Sequence, residues 1–423
     1  MRVADLIIVG NEVATCAPGS SPRPGSKMDD AGIIAEGAVA IQGDRIMAVG
    51  RAADILVDWV GDTLRFPGTC VVPGLVDSHA HPIFAGSRTH EFRMRARGAS
   101  YQEIHESGGG ILSTVRATRG ASLEELARRT RLTLERMMAH GTTTVEAKSG
   151  YGLNLEHELR HLRILRQLGE DLPLEVVPTF LGGHTFPAEY RERPDDYVQE
   201  VIREMIPRVA QEGLAEFVDV FCEEGAFSLE QSRRILEAGR RAGLGLRIHA
   251  EEFQYLGGAR MAAELGAASA DHLLVLPESD FSALREAGTI PVVMPGTSFF
   301  LGKRYAPMRA MVDSDLPVAL GTDFNAGSCM TESMPMAVSL AVLGGGLTPA
   351  EALLAATVNA AHSLGRGSSI GSIEVGKKAD LLVLDLPSVE EWPYHFGVNL
   401  VRVVVKDGAV VNTILRSPIG APL

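Results

Sequence analysis

The chain has 423 residues, of which 45% are hydrophobic and 22% charged, with a formal net charge of −13. This is the balance of a folded globular protein with room for one large core and a smaller second unit. The acidic excess argues against nucleic acid as a partner, and the scattered basic residues form no patch suited to a membrane surface.

From the N-terminus, residues 6–9, 37–41 and 45–49 read as strands separated by turn residues. Residues 17–28 are rich in Pro, Gly and Ser and are expected to form an exposed loop. The same strand-rich texture returns at residues 379–384 and 401–405. Between these ends, strand and helix patterns alternate. Candidate strands finish near His79, Glu146, Phe180, Phe221, His249, His272, Met294 and Asp323. Amphipathic stretches such as 123–140 and 229–242 fall between them. Eight β/α units in about 250 residues predict a (β/α)₈ TIM barrel, an α/β fold. Thr348-Pro349-Ala350-Glu351 carries the cap, proline and glutamate of a helix start. The expected organisation is a barrel over 67–373 and a small β-sandwich domain built from 1–66 and 374–423.

Cys16, Cys70, Cys222 and Cys329 are widely spaced and lack Cys-x-x-Cys spacing, so they read as reduced thiols. No apolar run approaches the roughly 20 residues needed to cross a bilayer. A cytoplasmic location is the expectation.

The strand leading to His79-Ala80-His81 puts two imidazoles on one side, because alternate strand residues share a face. Three later strand-like runs end in His249, His272 and Asp323. A barrel gathers its strand ends on one face, so these residues are expected to converge. The assignment is a single metal ion held by His79, His81, His249 and Asp323, with an open position for water. Such an ion lowers the pKa of water to roughly 7. Imidazole and carboxylate accept zinc and iron alike, so one divalent or trivalent ion per subunit, Zn or Fe, is expected.

The run Pro73-Gly74-Leu75-Val76-Asp77-Ser78-His79-Ala80-His81, the single histidines after strands five and six, Gly321-Thr322-Asp323 after strand eight, and the ending 371–381 together resemble the metal-dependent amidohydrolase superfamily. Some members bridge two metals with a carboxylated lysine after strand four. Here residues 217–224 contain no lysine, and Lys148 lies after strand two. The resemblance therefore implies a one-metal site.

Segments 84–88, 97–101, 108–111, 148–153, 181–184, 249–253 and 323–328 narrow the resemblance to the branch that opens an imidazolone ring in histidine degradation. This implies hydrolysis of 4-imidazolone-5-propanoate to N-formimidoyl-L-glutamate. The partner is then a small carboxylate-bearing substrate, whose carboxylate a guanidinium such as Arg88 would fix. The resemblance adds Tyr101, Tyr151, His184, Asn325, Gly327 and Ser328 as substrate contacts, and implies a homodimer. Asp323 and His272 are candidate proton acceptors, and Glu252 is a candidate to bind the ring nitrogen and pass it a proton. The alternatives are another cyclic-amidine hydrolase or heterocycle deaminase of the superfamily, or a catalytically silent barrel.

His157-Glu158-Leu159-Arg160-His161 matches the His-Glu-x-x-His metalloprotease pattern. Leu155, Leu159 and Leu162 define the apolar stripe of this helix, so both histidines are expected on a solvated opposite face. The glycines 108–110 have no Gly-Lys-Ser/Thr after them, so they predict a flexible loop near the site mouth rather than a phosphate cradle.

Overall fold

The computed structural model describes residues 1–98 and 109–413. Its central element is a parallel barrel whose strands follow one another in chain order: Leu75–Ala80, Thr142–Lys148, Glu175–Gly183, Phe217–Cys222, His249–Ala250, Ser269–His272, Ile290–Val293 and Ala319–Leu320. The fifth strand is preceded by a short segment, Gly245–Leu246, that also pairs with the fourth. Closure comes just past the eighth strand. The Asp323 amide donates to the His79 carbonyl (2.8 Å), and the His81 amide to that of Phe324 (2.9 Å). Asp77 adds a side-chain tie between the first and last strands. It accepts from the Thr322 hydroxyl (2.6 Å) and amide (2.9 Å). Eight strands stand in the expected order and six end within two residues of the expected position; the third runs on to Gly183, three past Phe180, and the eighth stops at Leu320, three short of Asp323.

The helices begin at recognisable caps. Ser122 opens Leu123–Ala139 by accepting from the Glu125 amide, and Asn154 opens Leu155–Asp171 by accepting from that of His157. Ser228 with Gln231, and Thr348 with Glu351, form reciprocal capping boxes at Leu229–Arg241 and Pro349–Ala355. Each box satisfies amides that the helix leaves unpaired.

A second sheet joins both ends of the chain. It runs in the order Ala409–Thr413, Val401–Lys406, Leu381–Leu384, Trp59–Pro73, Arg2–Ala14, Gly37–Gln42, Arg45–Arg51, with Ile33–Ala35 beside Arg2–Ala14. Ile8, Val39, Ile41, Val71, Leu381, Val383, Val403 and Val405 form one buried cluster, so the sheet folds over on itself in sandwich fashion. Trp59–Pro73 stays in this sheet past residue 66, pairing Cys70 with Leu384 and Pro73 with Leu381. The barrel therefore starts at Leu75.

The stretch 17–28 departs from expectation. Arg23 and Met28 are buried. The Arg23 guanidinium donates to the carbonyls of Ala17 (3.0 Å) and Lys27 (2.6 Å), and its amide to Asn359 Oδ1 (2.7 Å). Composition marked the loop correctly but could not show that one arginine would satisfy its carbonyls from within. No helix of the described residues is long and apolar enough to cross a membrane.

The Thr348 hydroxyl accepts from the Glu351 amide and donates to Asp29 Oδ1 (2.6 Å). Thr348→Ala is expected to cost about 0.5–2 kcal/mol of stability in urea melts, the range for a lost N-cap. A change within experimental error would remove the cap from the account.

Candidate metal centre

At the C-terminal face of the barrel, four expected groups meet. His81 Nε2 lies 3.3 Å from His79 Nε2 and 3.3 Å from His249 Nε2. Asp323 Oδ1 stands 3.5 Å from His81 Nε2 and 3.6 Å from His79 Nε2. All four residues are buried.

Protons are directed away from this meeting point. His79 Nδ1 donates to Asp271 Oδ2 (2.7 Å), and His249 Nδ1 donates to Asp219 (3.0 Å). Each hydrogen bond fixes a tautomer whose Nε2 carries a lone pair. Burial holds His79 and His81 well below the ordinary imidazole pKa, with neighbouring positive charge adding to the effect, so both are neutral. His79 and His249 thus turn lone pairs toward His81 Nε2, while His81 Nδ1 is buried without a hydrogen-bond partner, and a cation at the meeting point would satisfy the crowded nitrogens together. Four ligands at roughly 2.0–2.1 Å from a tetrahedral ion lie about 3.3–3.4 Å apart. The four measured separations, 3.3–3.6 Å, are close to that spacing.

Behind the ligands lies a charged layer that the sequence reading did not find. Lys148 Nζ donates to Asp219 Oδ2 (2.7 Å) and Glu146 Oε1 (2.9 Å), and stands 3.7 Å from Asp271 Oδ2. Arg247 donates to Asp271 Oδ2 (3.2 Å) and to the Ser78 carbonyl (2.7 Å). These five side chains are fully buried. The alternation of the strands was the available signal: Asp219, Arg247 and Asp271 each stand two residues or one before a feature that marks a strand end.

His272 is buried beside the ligands, its ring 5.3 Å from that of His79 and 5.1 Å from that of His249. Its Nε2 is 3.8 Å from Glu252 Oε2. Burial keeps His272 neutral and pushes Glu252 well above the usual carboxyl range, with the Asp323 charge adding to the rise. Asp323 rises less, to about 6: burial lifts it, while the Thr297 hydroxyl (2.5 Å from Oδ2) and nearby positive charge pull it down. His272 and Asp323 have positive φ, 78° and 51°, as does Glu251 at 52°. Such left-handed backbone at non-glycine residues carries strain, and here it falls at three strand ends around the centre.

The remaining expected site residues group around this centre with one exception. The His184 ring stacks on His81 (5.1 Å, 20°) and donates through Nδ1 to the Gly150 carbonyl (3.0 Å). Tyr151 packs 5.2 Å from His184 and 6.2 Å from His81. Asn325 builds its own loop: Oδ1 accepts from the amides of Gly327 and Ser328 (both 2.8 Å), and its amide group donates to Ser328 Oγ (2.8 Å). Arg88 is gripped by Glu91 Oε2 through Nε (2.9 Å) and Nη2 (2.7 Å). Its Nη1 lies against Gly327, where a Cβ would come within 2.0 Å, so only glycine admits the guanidinium there. Tyr101 lies outside the described residues, as does Gly108.

The reading of the His-Glu-x-x-His segment needs correction. His161 is buried rather than solvated, and burial pushes its pKa down to about 3. Glu158 is buried as well, and His157 is half-buried with Nδ1 on Asn154 Oδ1 (2.9 Å). The buried face is wider than the stripe of Leu155, Leu159 and Leu162: His161 stands four residues before Leu165 and seven before Leu168, on the side that the helix packs into the core, while the loop after the second barrel strand covers Glu158. The three side chains do not converge on a point. Among the described residues, the histidine and carboxylate groups spaced to hold a metal are His79, His81 and His249, and His79, His272 and Asp323.

The sequence model of the amidohydrolase family matches residues 70–417. The imidazolonepropionase of Geobacillus kaustophilus is 48% identical over 406 residues, covering 94% of this chain and 95% of that protein. That of Symbiobacterium thermophilum is 49% identical over 418 residues, covering 97% and 98%. The chain belongs to the amidohydrolase family, among its imidazolonepropionases. Among solved structures, an adenosine deaminase from Xanthomonas campestris with bound zinc aligns with a TM-score of 0.73 at 21% identity, covering 97% of this chain and 93% of that one. E. coli guanine deaminase aligns at 0.70 and 16%, covering 96% and 99%. At those identities the likeness is one of fold.

An asparagine offers one acceptor, and at position 219 the Lys148 ammonium claims it. Asp219→Asn is therefore expected to turn its amide group toward His249 Nδ1 and move the imidazole proton to Nε2. Metal affinity should fall about 10–100-fold in chelator competition; an affinity within twofold of the parent would count against the tautomer argument. His157→Ala and His161→Ala should leave metal stoichiometry unchanged, with stability reduced in the second.

Proposed function

We propose that this chain opens the ring of 4-imidazolone-5-propanoate by hydrolysis, giving N-formimidoyl-L-glutamate, with one zinc or iron ion per subunit at His79, His81, His249 and Asp323. The observation that carries the reading is the convergence of three imidazole nitrogens and one carboxylate oxygen, with His81 Nε2 3.3 Å from the Nε2 atoms of His79 and His249 and Asp323 Oδ1 3.5 Å and 3.6 Å from His81 and His79, in a chain nearly half identical to imidazolonepropionases throughout its length.

In the overall step, oxygen from water bonds to the ring carbonyl carbon and that carbon's bond to the ring nitrogen breaks. A new carboxylate forms, and the departing nitrogen gains a proton. When bound, the metal supplies Lewis acidity that makes hydroxide accessible near neutral pH. The surrounding side chains divide the proton work by their environments. Asp323, with its pKa near 6, is an anion at neutrality and can take a proton from water. Glu252 is held protonated by burial and can give one to the leaving nitrogen. His272, neutral and 3.8 Å from Glu252, is placed to receive or relay it. Tyr151 and His184 wall one side, where their rings exclude water. Arg88 is the group for the propionate. Its charge acts on Tyr151, and Glu91 and Gly327 fix its plane. A planar guanidinium suits a carboxylate in two-point contact.

The test is direct. Purified protein should consume imidazolone propionate, seen as decay of its ultraviolet absorbance, yield formimidoylglutamate by mass spectrometry, and lose activity on chelation. Release of ammonia in step with turnover would instead point to a heterocycle deaminase and overturn the reading. Glu252→Gln is expected to lower kcat about 10²–10⁴-fold with the metal retained, the range for a lost general acid. Arg88→Met should raise KM at least tenfold; unchanged KM would free the propionate from this residue.

A further inference from the structure

The middle glutamate of His157-Glu158-Leu159-Arg160-His161 is buried with its carboxylate spread over the loop that follows the second barrel strand. Oε1 accepts from the amides of Gly152 (2.8 Å) and Leu153 (2.8 Å), and Oε2 from that of Gly150 (3.1 Å). A buried carboxylate with several amide donors is a rigid knot, because every bond it gave up would leave a buried group unpaired. The backbone it ties has little freedom of its own choosing: Gly150 has φ of 107° and Leu153 of 51°.

The loop carries two of the expected substrate contacts at once. Tyr151 is one of its residues, and the Gly150 carbonyl accepts from His184 Nδ1 (3.0 Å). That bond fixes the His184 tautomer, leaving Nε2 with its lone pair. It also sets the ring plane that lies over His81. We propose that Glu158 is a positioning residue for ring hydrolysis: its carboxylate holds residues 150–153 so that Tyr151 and His184 meet the substrate in fixed orientation. This rests on the reading that Tyr151 and His184 face an imidazolone substrate. Glu158 touches neither the metal ligands nor the substrate itself, so its removal should weaken substrate binding and spare the metal.

Glu158→Gln isolates the effect. Its oxygen can keep the two amides of Gly152 and Leu153, but its amide group then faces the Gly150 amide, donor against donor. His161→Leu, on the same helix and buried with both ring nitrogens unpartnered, is the control for a stability change that does not reach the loop. The expected result for Glu158→Gln is a KM at least tenfold higher, binding of imidazole propionate weakened by a similar factor in calorimetry, and metal stoichiometry and metal affinity equal to the parent. His161→Leu should leave KM within twofold. If Glu158→Gln cannot be recovered folded, Gly150→Ala strains the same loop from the other side, its Cβ 3.0 Å from His184 Nδ1, and should shift KM in the same way. An unchanged KM in the recovered variant, or an equal shift in His161→Leu, overturns the proposal. A parent enzyme that does not turn over imidazolone propionate would sink the substrate reading instead, so the two failures are told apart.

Discussion

Two hydrogen bonds set the chemistry of the barrel: His79 to Asp271 and His249 to Asp219. Without a carboxylate at Nδ1, each imidazole would choose its proton position freely, and half of the lone pairs would be lost from the meeting point. The carboxylates in turn are anions in a region closed to water, which is costly unless cations stand beside them. Lys148 and Arg247 are those cations. The charged layer is thus a stack in which each row makes the next one possible. Cations hold carboxylates, carboxylates hold imidazole protons, and the bared nitrogens are left free to face a metal. Removing one partner strands the others, since a buried unpaired charge is far more expensive than an absent pair.

This dependence explains what could be read from the sequence. Strand ends were legible because period-two apolar runs stop abruptly at histidine or aspartate, and His79, His81, His249, His272 and Asp323 all stand at such stops. Lys148 was noticed only as a residue in the wrong place for a metal bridge. Pattern alone gives no reason to send a lysine into a barrel, and its reason is the company of Glu146, Asp219 and Asp271, which come from other strands. The same limit produced the error at His161. A stripe drawn through Leu155, Leu159 and Leu162 was too narrow, because Leu165 and Leu168 carry the buried face round to His161.

The loops around the centre follow one local rule, also invisible in composition. Glu251 accepts from the amides of Gly257 (2.9 Å), Gly258 (2.8 Å) and Ala259 (2.9 Å), and Glu223 from those of Phe253 (2.9 Å) and Gln254 (3.0 Å). Glu158 does the same for residues 150–153. Loops carry function because they vary, but a site needs them still. A buried carboxylate gathers amides that no strand or helix can satisfy, and so gives an irregular segment the rigidity of regular structure. Between them, Glu223 and Glu251 hold both flanks of the segment that follows Glu252, which keeps the Glu252 carboxyl beside His272.

A net charge of −13 would repel a propionate-bearing substrate at long range, yet screening at physiological ionic strength confines that field to about 8 Å. Inside that distance the local charges decide. Arg88 and Arg95 both reach Gly327, Arg88 through the close approach of Nη1 and Arg95 by donating to the carbonyl (2.9 Å). The loop that begins at Asp323 therefore ends against two guanidinium groups. The acidic surface and the carboxylate-binding mouth are compatible because they act at different ranges. The Asn325–Ser328 turn joins the two regions: Asn325 donates to the Asp323 carbonyl (2.8 Å) and accepts from the Gly327 amide (2.8 Å), so Asp323 and the glycine that both guanidinium groups approach belong to one hydrogen-bonded segment.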